Sequence, residues 1–233
     1  MIESMHRIES SIGPIDSLPT LNDVVSRINR EIQNPRTTAD QIGKIISTDQ
    51  SLTISILKLV NSAFYGFPRK INTISHAVAI LGFNTIKNLV LTTSLLTTLK
   101  TTTHSPLFDQ KKFWMHSLAV GVFAREIGER SNFQKMEELF LAGVIHDIGK
   151  IILLSFFTHE FERALNTAIS DEVLLIDAER KILGFDHTEV GYWIAEKWQL
   201  PEYLSQVILN HHSPEKSLDY YKICAIIQLS DIL

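Results

Sequence analysis

Residues 136–154 read MEELFLAGVIHDIGKIILL, and this stretch decides the fold prediction. Two apolar segments flank a polar His146-Asp147 pair, and both are longer than a typical β-strand. We predict one helix over Met136–His146 and a second from Ile148 to about Ala168. The polar pair then lies where the two helices meet, in surroundings that are otherwise apolar.

The rest of the chain shows the same helical period. Leu21, Val24, Val25, Ile28 and Ile32 follow an i, i+3, i+4, i+7, i+11 series, with Thr20 or Asn22 near the N-cap. No run alternates with period two over the length of a strand, so we predict an all-α, multi-helix bundle. Further helices are predicted around Ile42–Ile46, Ser51–Val60, Ile74–Leu81, Asn84–Leu96 with Asn84 as cap, Phe113–Arg130, Val173–Leu183, His187–Trp198, Pro201–His212 and Leu218–Leu233.

Composition excludes several classes of protein. The 233 residues carry a formal charge of −4, which gives no whole-chain reason to expect nucleic acid as a partner. The basic pairs Arg69-Lys70 and Lys111-Lys112 are short, so nucleic acid binding is disfavoured. The single Cys224 excludes a disulfide framework and thiolate zinc clusters. An apolar content of 45% excludes disorder of the whole chain.

Membrane and targeting signals are not evident in the sequence. Residues Met1–Ser17 are mixed and polar, without the basic start and apolar run of a signal peptide. Apolar runs such as Ile151–Phe157 are far shorter than the roughly 18 to 20 residues that span a bilayer. We therefore predict a cytoplasmic protein without a membrane partner. The last helix runs to Leu233, so the native chain could continue beyond it.

Histidine is the unusual residue in this chain, with nine copies. Four stand alone, and five lie in the second half near acidic residues. Neutral imidazole and carboxylate are suitable ligands for Zn, Fe or Mn, and a helix bundle can gather them in one interior pocket. We predict one or two divalent ions. The candidate ligands are His116, His146, Asp147, His187, His211, His212 and Asp231.

Each ligand also has a structural interpretation that the sequence leaves open. A lone histidine is more often a packed or surface residue than a metal ligand. His211-His212 could end a helix, where a charged imidazole complements the helix dipole. His187 follows Asp186 and could belong to an N-cap. In the first half, Asp49 and Asn61 are predicted to cap helices and shape turns rather than to carry chemistry.

The order of these residues resembles a known pattern. His116, His146-Asp147 and Asp231 match the H…HD…D order of the HD superfamily of metal-dependent phosphohydrolases, and His146–Lys150 resembles its HDxGK signature. The chain from Leu18 to Asp231 is identified as a member of the HDOD (HD-related output domain) family. The further matches are Leu18-Pro19-Thr20-Leu21, Asp49, Asn61-Ser62-Ala63-Phe64-Tyr65, Ala79-Ile80-Leu81-Gly82, Phe113-Trp114-x-His116-Ser117, Ala142-Gly143, His187-x-Glu189-x-Gly191, Trp198-x-Leu200-Pro201 and His211-His212.

The resemblance implies an architecture and a function. A lead-in over residues 1–17 would precede an N-terminal helical sub-domain over 18–105 and an HD-like helical sub-domain over 106–233. The family consists of bacterial, all-helical signalling modules. We therefore expect a regulatory output module that binds a partner protein or a nucleotide-like ligand, with a His/Asp metal site. The alternative is a metal-dependent phosphohydrolase acting on a nucleotide or phosphodiester.

Two departures from the related HD-GYP enzymes, which hydrolyse cyclic di-GMP, restrict the alternative. No Gly-Tyr-Pro motif follows His211-His212, so hydrolysis of cyclic di-GMP by that route is disfavoured. Lys112 stands one turn before His116, where some of those enzymes carry an acidic ligand, so a third metal is not expected. If the chain is an enzyme, the resemblance assigns Asp147 to the metal and Lys150 to the substrate phosphate.

Overall fold

The computed structural model describes residues 2–12, 23–99, 101 and 103–233. It is 73% helical, and the described residues form no strand, which confirms the all-α prediction. A 3₁₀ turn over Pro214–Lys216 precedes the last helix. The helices are α1 Ile2–Ile12, α2 Asp23–Ile32, α3 Ala39–Ser47, α4 Gln50–Val60, α5 Ile74–Leu81, α6 Phe83–Thr98, α7 Gln110–Arg130, α8 Met136–Ile145, α9 Ile148–Phe156, α10 Thr158–Ser170, α11 Leu175–Leu183, α12 His187–Lys197, α13 Glu202–Asn210 and α14 Tyr221–Ile232.

The chain forms two compact units. The smaller unit, Pro19–Lys100, contains α2 to α6. The larger unit joins Met1–Leu18 to Thr101–Leu233 and contains α1 and α7 to α14. The division into residues 1–17, 18–105 and 106–233 stays a prediction. The matched segment Leu18–Leu21 and the predicted caps Thr20 and Asn22 lie outside the described residues.

In the smaller unit, polar side chains end and connect the helices as predicted. Asp49 accepts a hydrogen bond from the Leu52 backbone N–H at 2.9 Å and so caps α4. The Asn61 amide donates to the Ile71 carbonyl and accepts from the Ile71 N–H, each at 2.8 Å. The first bond satisfies an N–H group at the start of α4. The other two pair the backbone of Ile71 in the segment between α4 and α5, so both residues have a structural role.

In the larger unit, close helix contacts depend on glycine. A Cβ atom on Gly143 of α8 would lie 2.6 Å from the Cα of Gly121 on α7. A Cβ atom on Gly149 of α9 would collide with the carbonyl group of His187 at the start of α12. Glycine therefore lets α8 and α9, which flank the His146-Asp147 pair, approach α7 and α12 at backbone distance.

Two predicted helix limits are wrong, and one helix was missed. The single helix expected from Ile148 to Ala168 is two helices, because Phe157 leaves the helical conformation with φ −131° and ψ 41°. Asn84 does not cap α6, which begins at Phe83 with Gly82 at the N-cap position. Helix α1 was not predicted, although Ile8 and Ile12, one turn apart, are buried.

One apolar stretch, Met136–Phe156, is long enough to cross a membrane by length and composition alone. It contains α8 and α9, and 83% of it is buried inside the protein. This burial is what the core helix of a soluble protein shows. The cytoplasmic compartment stays a prediction.

Candidate metal centre

The centre is built around the turn between α8 and α9. His146 is the C-cap residue of α8 and Asp147 is the N-cap residue of α9, and both are buried, with exposed fractions of 0% and 2%. The His146 Nδ1–H donates to the Gly143 carbonyl at 2.7 Å, so Nε2 points away from its own helix. The Lys150 Nζ donates to Asp147 Oδ2 at 2.5 Å. The turn thus places an imidazole and a carboxylate side by side in the interior.

A first group of four ligands surrounds His146 Nε2. This nitrogen lies 3.3 Å from Asp147 Oδ2 and 3.3 Å from Asp231 Oδ1. Asp231, on α14, also accepts a hydrogen bond from His116 Nε2, on α7, at 2.8 Å. One ligand atom from each of the four residues lies within 4.8 Å of the others. The His116 side chain is 44% exposed, so this group can be reached from solvent.

A second group of four ligands shares Asp147 with the first. Asp147 Oδ1 lies 3.4 Å from His187 Nε2 and 3.6 Å from His211 Nε2. The Nε2 atoms of His187 and His212 are 3.1 Å apart. These four ligand atoms also lie within 4.8 Å of one another. A carboxylate common to two groups can bridge two ions, as in two-metal sites.

Three buried atoms of the cluster are suited to bind a metal ion. His146 Nε2, Asp147 Oδ1 and His211 Nε2 are buried, and none has a hydrogen-bond partner in the described part of the chain. Leaving a buried polar atom unpaired costs roughly 1 to 3 kcal/mol, so such atoms call for an explanation. All three are the atoms that would coordinate an ion. Ions held by the two groups would satisfy all three atoms, and nitrogen and oxygen donors suit Zn, Fe or Mn.

Hydrogen bonds from Nδ1, the ring nitrogen that faces away from the cluster, orient the histidines. His211 Nδ1 donates to the Ile208 carbonyl at 3.0 Å, and His187 Nδ1 donates to Glu179 Oε2 at 2.6 Å. Because carbonyl and carboxylate oxygens only accept, Nδ1 carries the proton in both rings. In the neutral ring, Nε2 then presents its lone pair to the cluster.

The start of α12 is fixed by a capping box. The Asp186 side chain accepts from the Thr188 and Glu189 backbone N–H groups, and the Glu189 side chain accepts from the Asp186 N–H. Asp186 is fully buried and also binds Arg180, with Nη2 at 2.7 Å from Oδ2. His187 is therefore the first residue of a well-anchored helix, and its ring points at Asp147.

The electrostatics of the cluster favour charged carboxylates. Burial alone would raise the pKa of Asp147, but Lys150 and His146 hold it well below its usual range. Burial likewise opposes ionisation of Asp231, whose pKa is kept low by the hydrogen bond from His116 and by the neighbouring His146 ring. Both residues are thus anionic at neutral pH and ready to bind a cation.

The histidines differ in their protonation. Burial alone would lower the pKa of His146, but the Asp147 and Asp231 carboxylates outweigh it and raise the pKa to about 9. Burial and the neighbouring rings of His211 and His187 lower the pKa of His212 to about 3. At neutral pH without an ion, His146 is protonated and His212 is neutral.

The structure brings all seven predicted ligands into this one cluster: His116, His146, Asp147, His187, His211, His212 and Asp231. Lys150 lies at its edge, with its side chain 19% exposed. Glu179 was missed by sequence reasoning, because an isolated glutamate inside a helix carries no motif. That these seven residues bind metal stays a prediction.

Comparison with known proteins agrees with this architecture. The chain is 28% identical to an HDOD domain protein of unknown function from Geobacter sulfurreducens, with a TM-score of 0.84 over 100% of this chain and 78% of that one. A candidate phosphohydrolase from Shewanella amazonensis has a TM-score of 0.80 at 23% identity, over 98% of this chain and 80% of that one.

A sequence relative from Treponema pallidum (strain Nichols), described as uncharacterized, is 26% identical over 209 residues. The match covers 89% of this chain, but the chain spans only 40% of that relative's length. The profile of the HDOD domain matches residues 18–214, which is most of the sequence. The chain therefore belongs to the HDOD domain family.

Proposed function

We propose that this chain is a signalling output module whose His/Asp cluster binds one or two divalent ions. The observation that carries the proposal is a set of three buried ligand atoms, on His146, Asp147 and His211, that converge in one cluster and have no hydrogen-bond partner in the described part of the chain. Without an ion these atoms face other cluster atoms only at ion-pair distances of 3.3 to 3.6 Å, and a bound ion would satisfy them more fully.

The positions of the ligands suggest what metal binding does for signalling. The seven side chains come from α7, the α8–α9 turn, α12, the end of α13 and α14. A bound ion would join these five segments and stabilise the larger unit by mass action, by about 2.7 kcal/mol at a hundredfold excess of free ion over Kd. Metal occupancy thereby sets the rigidity of the surface that a signalling partner or nucleotide-like ligand meets.

A second candidate function is metal-dependent hydrolysis of a nucleotide or phosphodiester. Two observations favour it: His116 is partly exposed to solvent, and the Lys150 ammonium lies beside Asp147. A divalent ion held by the cluster would supply Lewis acidity to a phosphate and to water. Lys150 would bind the phosphate charge, and Asp147 would hold the ion. The Shewanella protein's description as a candidate phosphohydrolase is consistent with this chemistry.

One experiment separates the two candidates. The purified protein is loaded with Fe²⁺, Mn²⁺ or Zn²⁺, its metal content is measured, and bis(p-nitrophenyl) phosphate and cyclic di-GMP are offered as substrates. Bound metal without turnover supports the output module. Turnover that Asp147→Ala abolishes supports the phosphohydrolase. A protein that binds no ion under any of these conditions contradicts both.

A further inference from the structure

We propose that Glu179 is a positioning residue that acts through His187 and makes the second ligand group bind its ion more tightly than the first. The proposal rests on the metal site proposed above. It assigns a role to a buried carboxylate that belongs to neither ligand group and that no motif singled out.

The contacts of Glu179 are directed at one ligand. It lies in the middle of α11 and is 0% exposed. Its Oε2 accepts both the backbone N–H of His187, at 2.9 Å, and the Nδ1–H of the same ring, at 2.6 Å. Two bonds from one residue to one oxygen fix the position of the His187 backbone and the rotation of its ring together.

The local fold is arranged to make this contact. Helix α11 ends at Leu183, and the following Gly184, with a left-handed φ of 82°, reverses the chain. The returning segment then lies against α11, so that Arg180 binds Asp186 while Glu179 binds His187. Two adjacent residues of α11 thus bind two adjacent residues at the start of α12.

Burial of the Glu179 carboxylate is unfavourable unless its charge is compensated. Its second oxygen, Oε1, is buried and has no hydrogen-bond partner in the described part of the chain. An ionic group in this position is destabilising unless it is compensated, and apolar side chains often serve stability equally well. The Lys150 ammonium interacts with this carboxylate electrostatically, and a cation on the far side of the His187 ring would add to the compensation.

His187 differs in this respect from the other buried ligand histidines. The outer nitrogens of His146 and His211 donate to neutral backbone carbonyls, whereas that of His187 donates to a carboxylate. A carboxylate behind the ring raises the basicity of the coordinating nitrogen, and removing such a partner costs about 10- to 100-fold in metal affinity. We therefore expect the second group to bind its ion more tightly than the first group.

The test is a Co²⁺ titration of the full chain, followed by visible absorption, with Glu179→Gln and Glu179→Met. The glutamine can keep both hydrogen bonds through its amide oxygen but lacks the charge, and we expect about tenfold weaker binding of the tighter ion. The methionine keeps neither bond, and we expect about 100-fold weaker binding. Asp177→Asn, an exposed carboxylate on the same helix, is the matched control and leaves both affinities unchanged.

A second readout reports on the ring itself. In ¹⁵N NMR spectra of the metal-free protein, His187 should be protonated at Nδ1 in the wild type and lose this preference in Glu179→Met. A purely structural role for Glu179 would change thermal stability without changing the tautomer.

The outcomes distinguish the proposed role of Glu179 from the proposed metal site. A wild-type protein that binds no Co²⁺ contradicts the metal site itself, and both proposals fall. A wild-type protein that binds Co²⁺ with affinities that stay within threefold in both Glu179 variants overturns only the role of Glu179. If both variants unfold while Asp177→Asn folds, Glu179 is structural and the proposal is likewise overturned.

Discussion

Metal affinity is expected to rise steeply with pH, because an ion at the first group must displace a proton from His146. The Asp147 and Asp231 carboxylates outweigh burial and raise the pKa of this ring to about 9 in the metal-free protein. Coordination needs the neutral ring, since the lone pair of Nε2 is the ligand. Below pH 9, ions and protons therefore compete for the same atom.

The magnitude follows from the pKa. At pH 7 the ring lies about two units below its pKa, so binding should be about 100-fold weaker than for the deprotonated site, or about 2.7 kcal/mol at 1.36 kcal/mol per unit. His211 and His212 add little, because the pKa of His211 is lowered by burial and that of His212 is about 3. The low pKa values of Asp147 and Asp231 leave both carboxylates deprotonated throughout.

Isothermal titration calorimetry with Mn²⁺ at pH 7, in two buffers of different ionisation enthalpy, measures the protons released. We expect about one proton for the ion that His146 binds, and an affinity about 100-fold higher at pH 8 than at pH 6. An affinity that does not change between pH 6 and 8, without proton release, would contradict this competition between ion and proton at His146. It would mean that His146 is neutral before the ion arrives.

Three further predictions concern stability. In the metal-free protein, the raised pKa of His146 contributes stability that is fully present below pH 6.5 and is lost as pH rises through about 9. Chemical denaturation across this range should therefore show a decline of up to about 3 kcal/mol. Gly149→Ala should destabilise the fold by roughly 1 to 3 kcal/mol and weaken metal binding, since the new Cβ collides with the His187 carbonyl. An unchanged melting temperature would contradict that contact. Asp186→Ala should cost about 1 to 2 kcal/mol through loss of the α12 cap. Arg180→Ala, which keeps the cap and removes only a half-exposed partner, should cost less.

The architecture and the cluster followed from two kinds of pattern. Apolar periodicity predicted most helices of the larger unit, because their buried faces are apolar at helical spacing. The order of histidines and aspartates, together with the resemblance to the HDOD family, predicted which side chains would meet. The HDOD match over residues 18–214 confirms the family, and the cluster brings together all seven residues.

Features that depend on tertiary contacts were not predictable. The break at Phe157 has no glycine or proline beside it. The Phe157 ring instead packs against Phe185 from the segment that precedes α12, with ring centroids 5.3 Å apart. Glu179 was missed for a related reason, since only the reversal at Gly184 brings it to His187. Both features depend on contacts between residues distant in sequence, and the local apolar pattern cannot predict such contacts.

We propose that the shared carboxylate of Asp147 holds divalent metal in this chain. The most direct test of this proposal is the metal content of purified wild-type protein and of Asp147→Ala, each equilibrated with Mn²⁺ or Zn²⁺ and freed of loosely bound ions. Asp177→Asn is carried through the same procedure as an unrelated carboxylate variant. We predict one or two ions per wild-type and Asp177→Asn chain and none per folded Asp147→Ala chain. Equal metal content in wild type and Asp147→Ala, or no metal in either, would contradict the account.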